Sequence, residues 1–163
     1  MLNTRPATAQ DVPLILDFIR GLAEYEREPN AVTATEADLR RDGFGPEPKF
    51  RVVIAEWEGK PAGFAFFFYS YSTWEGHPSL FLEDLFVRPE FRGKGIGKKL
   101  MIYLAQLALQ ENCRRFVWQV LDWNTPSIQF YESLGARVMK EWLTVRVDGE
   151  ALKRLADGLT FKA

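Results

Sequence analysis

The stretch Leu80-Phe-Leu-Glu-Asp-Leu-Phe-Val87, followed at once by Arg88-Pro-Glu-Phe-Arg-Gly-Lys-Gly-Ile-Gly-Lys-Lys-Leu100, decides how this chain is read. An apolar strand runs into a glycine-rich turn, and the turn opens a helix whose Leu100, Leu104, Leu107 and Ala108 share one face. Gly93, Gly95 and Gly97 carry no Cβ, so the backbone there approaches a ligand closely and aims its N–H groups at an anion. Arg92, Lys94, Lys98 and Lys99 add positive potential. The combination predicts a phosphate or pyrophosphate cradle at a helix N-terminus. It is not a P-loop, because Lys98 is followed by Lys99 and position 92 is Arg. The dinucleotide fingerprint fails as well, since Leu100 stands where its third glycine belongs.

Outward from this loop, strands and helices alternate. Thr8-Ala9-Gln10-Asp11 reads as a helix start, with Val12, Ile15, Leu16, Ile19, Leu22 and Ala23 on one face. A short helix is expected over Thr35 to Asp42, with Thr33 and Glu36 as its capping box. Phe50 to Trp57 and Ala62 to Tyr71 read as strands joined at Glu58-Gly59, with Leu80 to Val87 the third. After the helix from Gly97 to Glu111, a strand is expected over Arg115 to Leu121. A helix opens at Thr125-Pro126 and stops at Gly135. Trp142 to Val147 reads as a last strand and Gly149 to Ala156 as a terminal helix. The fold class is therefore α/β or α+β, with a mixed, mostly antiparallel central sheet flanked by helices. One domain is expected over residues 3–158.

Composition narrows the function. The 163 residues are 47% hydrophobic and 26% charged, which is a globular balance. Lys+Arg 21 against Asp+Glu 22 gives a net charge of −1, unlike a chain built to neutralise nucleic-acid phosphates. With one cysteine, Cys113, and one histidine, His77, neither an internal disulfide nor a Cys- or His-rich metal site is expected. No apolar run is long enough to span a bilayer, and Met1 to Arg5 lacks a signal-peptide core. The expectation is a cytoplasmic protein with no metal, no nucleic acid and no membrane partner.

Arg92-x-x-Gly95-x-Gly97 after a strand ending Phe86-Val87 resembles the acetyl-CoA signature of the GCN5-related N-acetyltransferases, the GNAT superfamily. Asp122-Trp-Asn-Thr-Pro-Ser127 and Phe130-Tyr131-x-x-x-Gly135-Ala136 resemble its second cofactor motif. Arg5-Pro-Ala-Thr8, Leu22-Ala-Glu-Tyr-Glu26, Asp42-Gly-Phe-Gly45 and Leu82-Glu-Asp84 resemble the diamine acetyltransferase branch. Val120-Leu-Asp-Trp-Asn124, Ser72-Thr-Trp74 and Asp148-Gly-Glu-Ala-Leu152 look closer to its thialysine-acetylating members than to the spermidine/spermine ones.

The resemblance implies a GNAT fold splayed at the acetyl-CoA site, acetyl-CoA as co-substrate, and a homodimer. It implies that Leu85, Phe86 and Val87 contact the acetyl-pantetheine arm, and that Arg92, Gly93, Lys94, Gly95, Ile96, Gly97 and Lys98 wrap the pyrophosphate. Asn124, Thr125, Pro126 and Ser127 would hold the cofactor arm, although the same residues suit helix capping. Tyr131 would contact the cofactor and protonate the leaving thiolate. Glu83 would bind the amine or take its proton through water, with Tyr25, Glu26, Trp74, Val117, Trp118 and Gln119 lining the amine site. Glu83 and neighbouring Asp84 are expected to face opposite sides of the sheet, by strand alternation. Ser72 stands where polyamine-acetylating relatives carry an acid, which turns the expectation from long polyamines toward a lysine-like amine. The implied activity is transfer of an acetyl group to a primary amine of a small molecule. A protein N-terminal or lysine acetyltransferase and a non-catalytic acetyl-CoA sensor are the alternatives.

Overall fold

The computed structural model describes residues 1–159, in two units, Met1–Gln119 and Val120 onward. The first unit is organised by one sheet, in the order β1 (Leu2–Pro6), β2 (Arg51–Trp57), β3 (Lys60–Ser72), β4 (His77–Val87), β5 (Arg115–Trp118). Neighbours pair antiparallel except β4 and β5, which are parallel. The turn between β2 and β3 has positive φ at both Glu58 and Gly59, the twist that joins two hairpin strands tightly. β1 is too short and mixed in pattern to be foreseen from sequence.

Alternation along the strands sorts the side chains into two layers. Val52, Ile54, Phe64 and Phe86 turn to one face and meet Val12, Ile15, Leu16 and Phe18 of α1 (Val12–Tyr25) and Leu39 of α2 (Glu36–Phe44). Phe18 stacks on Phe64 with ring centroids 5.2 Å apart. Val53, Ala55, Ala65 and Phe67, one residue out of step, are buried on the other side, where α3 (Ile96–Gln110) contributes Ile96, Leu100, Met101 and Leu104. Of the aromatic residues of β3, Phe64 and Phe67 are core, Phe66 and Phe68 are half-buried, and Tyr69 and Tyr71 are exposed.

Three expectations are corrected. The α2 cap is Thr35 with Asp38, not Thr33 with Glu36: the Thr35 hydroxyl accepts from the Asp38 N–H at 3.2 Å, and the Asp38 carboxylate accepts from the Thr35 N–H at 3.0 Å. The strand expected to run to Leu121 stops at Trp118. Trp142 to Val147 forms no strand; the segment is irregular, with Leu143 85% and Val145 89% exposed. A β-prone sequence becomes a strand only when it pairs along a neighbouring strand edge.

The second unit, taken by itself, holds α4 (Thr125–Ser133) and α5 (Gly149–Ala156). No helix among the described residues is long and apolar enough to cross a membrane.

Candidate active site

The site begins with a fault in the sheet. Phe66 pairs with Asp84 but Phe67 pairs with Leu82, so Glu83 is an extra residue, a bulge in β4. The parallel pairing with β5 covers only Ser79 to Leu82 and ends at Trp118. Beyond the bulge, β4 is held by β3 alone. The Arg88 N–H donates to the Ala62 carbonyl at 2.9 Å, which fixes the phase of that ladder. Phe86 and Asp84 therefore direct their backbone groups to β3, while Leu85 and Val87 direct theirs to the edge that β5 has left. The Val87 carbonyl on that edge accepts from Arg92 Nε at 3.0 Å. Leu85 and Val87 thus offer two aligned N–H donors on a splayed strand.

The glycine loop follows directly. After a 3-10 turn at Pro89–Phe91, Gly93 and Gly95 adopt φ of +75° and +76°, the left-handed region that disfavours side chains. A Cβ built at either position meets nothing within 4 Å, so the loop is open on that side. Gly95 is the N-cap of α3, and Ile96 is buried beneath it. Free N–H groups and the positive end of the helix dipole meet there, which suits a pyrophosphate. Lys98 and Lys99 are exposed on the first turn. Lys94 lies between rings, 5.1 Å from Trp57 and 5.3 Å from Phe91.

Acidic groups surround the bulge. Glu83 is exposed, whereas Asp84 is half-buried on the α1 side, opposite Phe66. Burial pushes the Asp84 carboxyl up to about 7, with the charges of Glu83 and Glu26 adding to the effect. Burial raises Glu26, the C-cap residue of α1, as well. Strict alternation does not hold across the bulge, so the expected separation of Glu83 and Asp84 gives way to two acids acting on each other. Among the described residues no cation pairs with Asp84, Glu83 or Glu26. Sequence reasoning put its weight on Glu83. The signal for Asp84 was a second carboxylate in an otherwise apolar strand.

The other expected amine-site residues divide. Tyr25 and Glu26 close α1, and Val117 and Trp118 pair with Phe81 and Leu82 just before the bulge, with Gln119 next in the chain. Trp74 stands apart: 85% exposed at the tip of the β3–β4 hairpin, nine residues before Glu83, whose strand starts only at His77, six residues and roughly 20 Å from the bulge. Ser72 is buried, and its hydroxyl accepts from the Glu75 N–H at 3.2 Å. It serves the turn and does not present itself to a ligand.

In the second unit, Asn124 is buried and caps α4, its side-chain oxygen accepting from the Ser127 N–H at 3.4 Å, with Pro126 in the first turn. Tyr131 lies one turn further on, partly buried, its ring 5.3 Å from Phe130. No three His, Cys, Asp or Glu among the described residues are grouped to hold a metal ion.

Known proteins share this architecture. The acetyltransferase (GNAT) family model matches residues 17–136. A thialysine N-epsilon-acetyltransferase from Sus scrofa is 41% identical over 163 residues, covering 93% of this chain and 95% of the relative. An L-ornithine N5-acetyltransferase from Arabidopsis thaliana is 30% identical, covering 93% and 86%. An integron cassette protein from V. cholerae superposes with a TM-score of 0.80 at 30% identity, covering 95% of this chain and 97% of that one. A splayed β4 running into a glycine-rich helix start is thus found in a sequence that the family model spans for most of its length: the chain belongs to the acetyltransferase (GNAT) family and is an N-acetyltransferase.

Proposed function

We propose that the protein transfers the acetyl group of acetyl-CoA to a primary amine of a small molecule, a thialysine- or lysine-like amino acid or a short diamine. The observation that carries the reading is the bulge at Glu83, which sets an open β4 edge beside three acids without a cation. Acetyl-CoA fits this chain's residues: the open glycine turn suits its pyrophosphate, and the free edge of Leu85 and Val87 suits its pantetheine amides. It supplies an acetyl group already activated as a thioester.

The chain's own groups then have distinct tasks. Gly93 to Lys98 wrap the pyrophosphate through backbone N–H donors, with Arg92 bracing the loop. The edge N–H groups polarise the thioester carbonyl, and such donors act most strongly as negative charge develops. Glu26, Glu83 and Asp84 attract a protonated amine, and Tyr25, Val117, Trp118 and Gln119 shape its surroundings. An ammonium must lose its proton before it attacks; Glu83, directly or through water, is the acceptor. Tyr131 is assigned the proton that the departing thiolate takes up, and Asn124 to Ser127 the cofactor arm. The reading takes residues 3–158 as one catalytic domain. It extends, by the resemblance to the diamine branch, to a cytoplasmic homodimer, in which Trp74 finds its role. The lysine-like preference now rests on the thialysine-type relatives, not on Ser72.

Thiol release from acetyl-CoA, measured against a panel of thialysine, lysine, ornithine, spermidine, spermine and a peptide N-terminus, tests the reading. Thialysine or another small diamino acid is expected to give the highest kcat/KM. Release driven best by the peptide would replace this reading with a protein acetyltransferase, and no amine-dependent release would favour a sensor.

A further inference from the structure

Arg92 opens the glycine loop, yet its side chain turns back from it. Nε donates to the Val87 carbonyl at 3.0 Å, and the guanidinium lies 5.0 Å from the Tyr25 ring centre and 5.9 Å from that of Phe86. One planar cation thus touches the free edge of β4 and the last residue of α1. The base of the loop is fastened separately, by Arg88 to Asp17 at 2.7 Å, with its guanidinium 5.1 Å from the Phe18 ring.

The end of α1 is where added order matters. The helix closes with the Glu28 N–H donating to the Ala23 carbonyl at 2.8 Å, and its left-handed residue is Arg27, with φ of +65°. That position favours glycine, so a side chain there leaves the turn weaker than a glycine-ended one. Tyr25 and Glu26 sit on this turn.

We propose that Arg92 is a positioning residue: its guanidinium ties the glycine loop to the Tyr25–Glu26 turn, so that filling the pyrophosphate cradle orders the turn that receives the amine. The inference rests on the acetyl-CoA and amine roles proposed above. The loop's remaining lysines, Lys98 and Lys99, stay free to face phosphate. Arg92 is set apart by its fork and plane, which a lysine cannot reproduce at a stacked site. Loop and turn are then linked sites, and binding at one changes the other by a common factor.

Hydrogen exchange with coenzyme A as the probe, alongside calorimetry, tests this. In the wild type, saturating coenzyme A should slow exchange at amides 22–28 by about 5-fold or more, the low end of ordinary coupling. Arg92→Lys keeps the charge and should bind coenzyme A within about 3-fold of wild type, but lose that protection and raise the amine KM with kcat retained. Tyr25→Leu removes the ring from the other side and should lose the protection equally, so the test survives if one variant misfolds. Full protection in a folded Arg92→Lys or Tyr25→Leu protein overturns the proposal. So does absence of protection in wild type, or collapse of coenzyme A affinity in Arg92→Lys, which would make the side chain a direct phosphate ligand. Failure of the wild type to bind coenzyme A at all overturns the underlying acetyl-CoA reading, and this proposal with it.

Discussion

Replacing Asp84 by Asn should abolish a pH dependence that the fold itself imposes. The Asp84 carboxyl is raised from an ordinary 3.8 to about 7, first by burial and then by Glu83 and Glu26. In the native state it therefore holds a proton that the unfolded chain has already released, so stability falls as pH rises between about 4 and 7. The displacement is about three pH units, each worth about 1.4 kcal/mol, so the ionised side chain costs the fold ~4 kcal/mol above pH 7 and almost nothing at pH 4. Asn keeps the size and polarity without the charge. Asp84→Asn should match wild type near pH 4 and exceed it by up to ~4 kcal/mol at pH 8, by urea unfolding at each pH. Asp11 works in the opposite sense: the Arg5 guanidinium holds its carboxyl below the usual range, so its contribution is lost only in stronger acid, outside this window, while Glu26, also raised by burial, adds a slope of the same sign to both proteins. A cationic ligand reverses the cost, because it favours the ionised acid, so amine affinity should rise through pH 7 in wild type and flatten in Asp84→Asn. Parallel stability curves for the two proteins would refute the reasoning.

Gly95→Val should remove acetyl-CoA binding, measured by calorimetry, because a β-branched residue at φ of +76° re-forms the turn that caps α3. Unchanged affinity in a folded variant would contradict the cradle. Tyr131→Phe keeps the ring and deletes the hydroxyl, so turnover should fall roughly 10²–10⁴-fold with cofactor affinity nearly unchanged, read by stopped-flow thiol release. Ser72→Ala should destabilise the hairpin tip by about 1 kcal/mol in thermal melts, through loss of the Glu75 N–H contact, while leaving the ratio of thialysine to spermidine turnover as it was.

Much of this architecture could be read from residues. The Gly135 helix stop, the Pro126 helix start and the Glu58-Gly59 turn are local chemistry, and local chemistry survives folding, whereas α2 runs on through Gly43 to Phe44 and ends at Gly45. The glycine loop was legible for the same reason: φ above zero at Gly93 and Gly95 is a backbone demand that glycine alone meets cheaply. The bulge was not. A one-residue slip between β3 and β4 depends on how two distant segments pair, and nothing within Leu82-Glu-Asp84 encodes it. Asp84's burial and its pull on the site follow from that slip, so they were missed together. Ser72 failed differently, since a serine beside a turn suits a ligand and a turn equally, and only the Glu75 N–H tells which. Trp142 to Val147 had strand composition yet forms no strand, because composition alone does not fix pairing.

The most direct test is the product of one reaction: purified protein, acetyl-CoA and thialysine, followed by mass spectrometry and NMR of the amine. The account predicts thialysine heavier by one acetyl group, carried on the side-chain amine, with one free thiol released per product formed. Thiol release without acetylated amine, or no turnover of thialysine and other small amines alongside efficient acetylation of a protein, would contradict it.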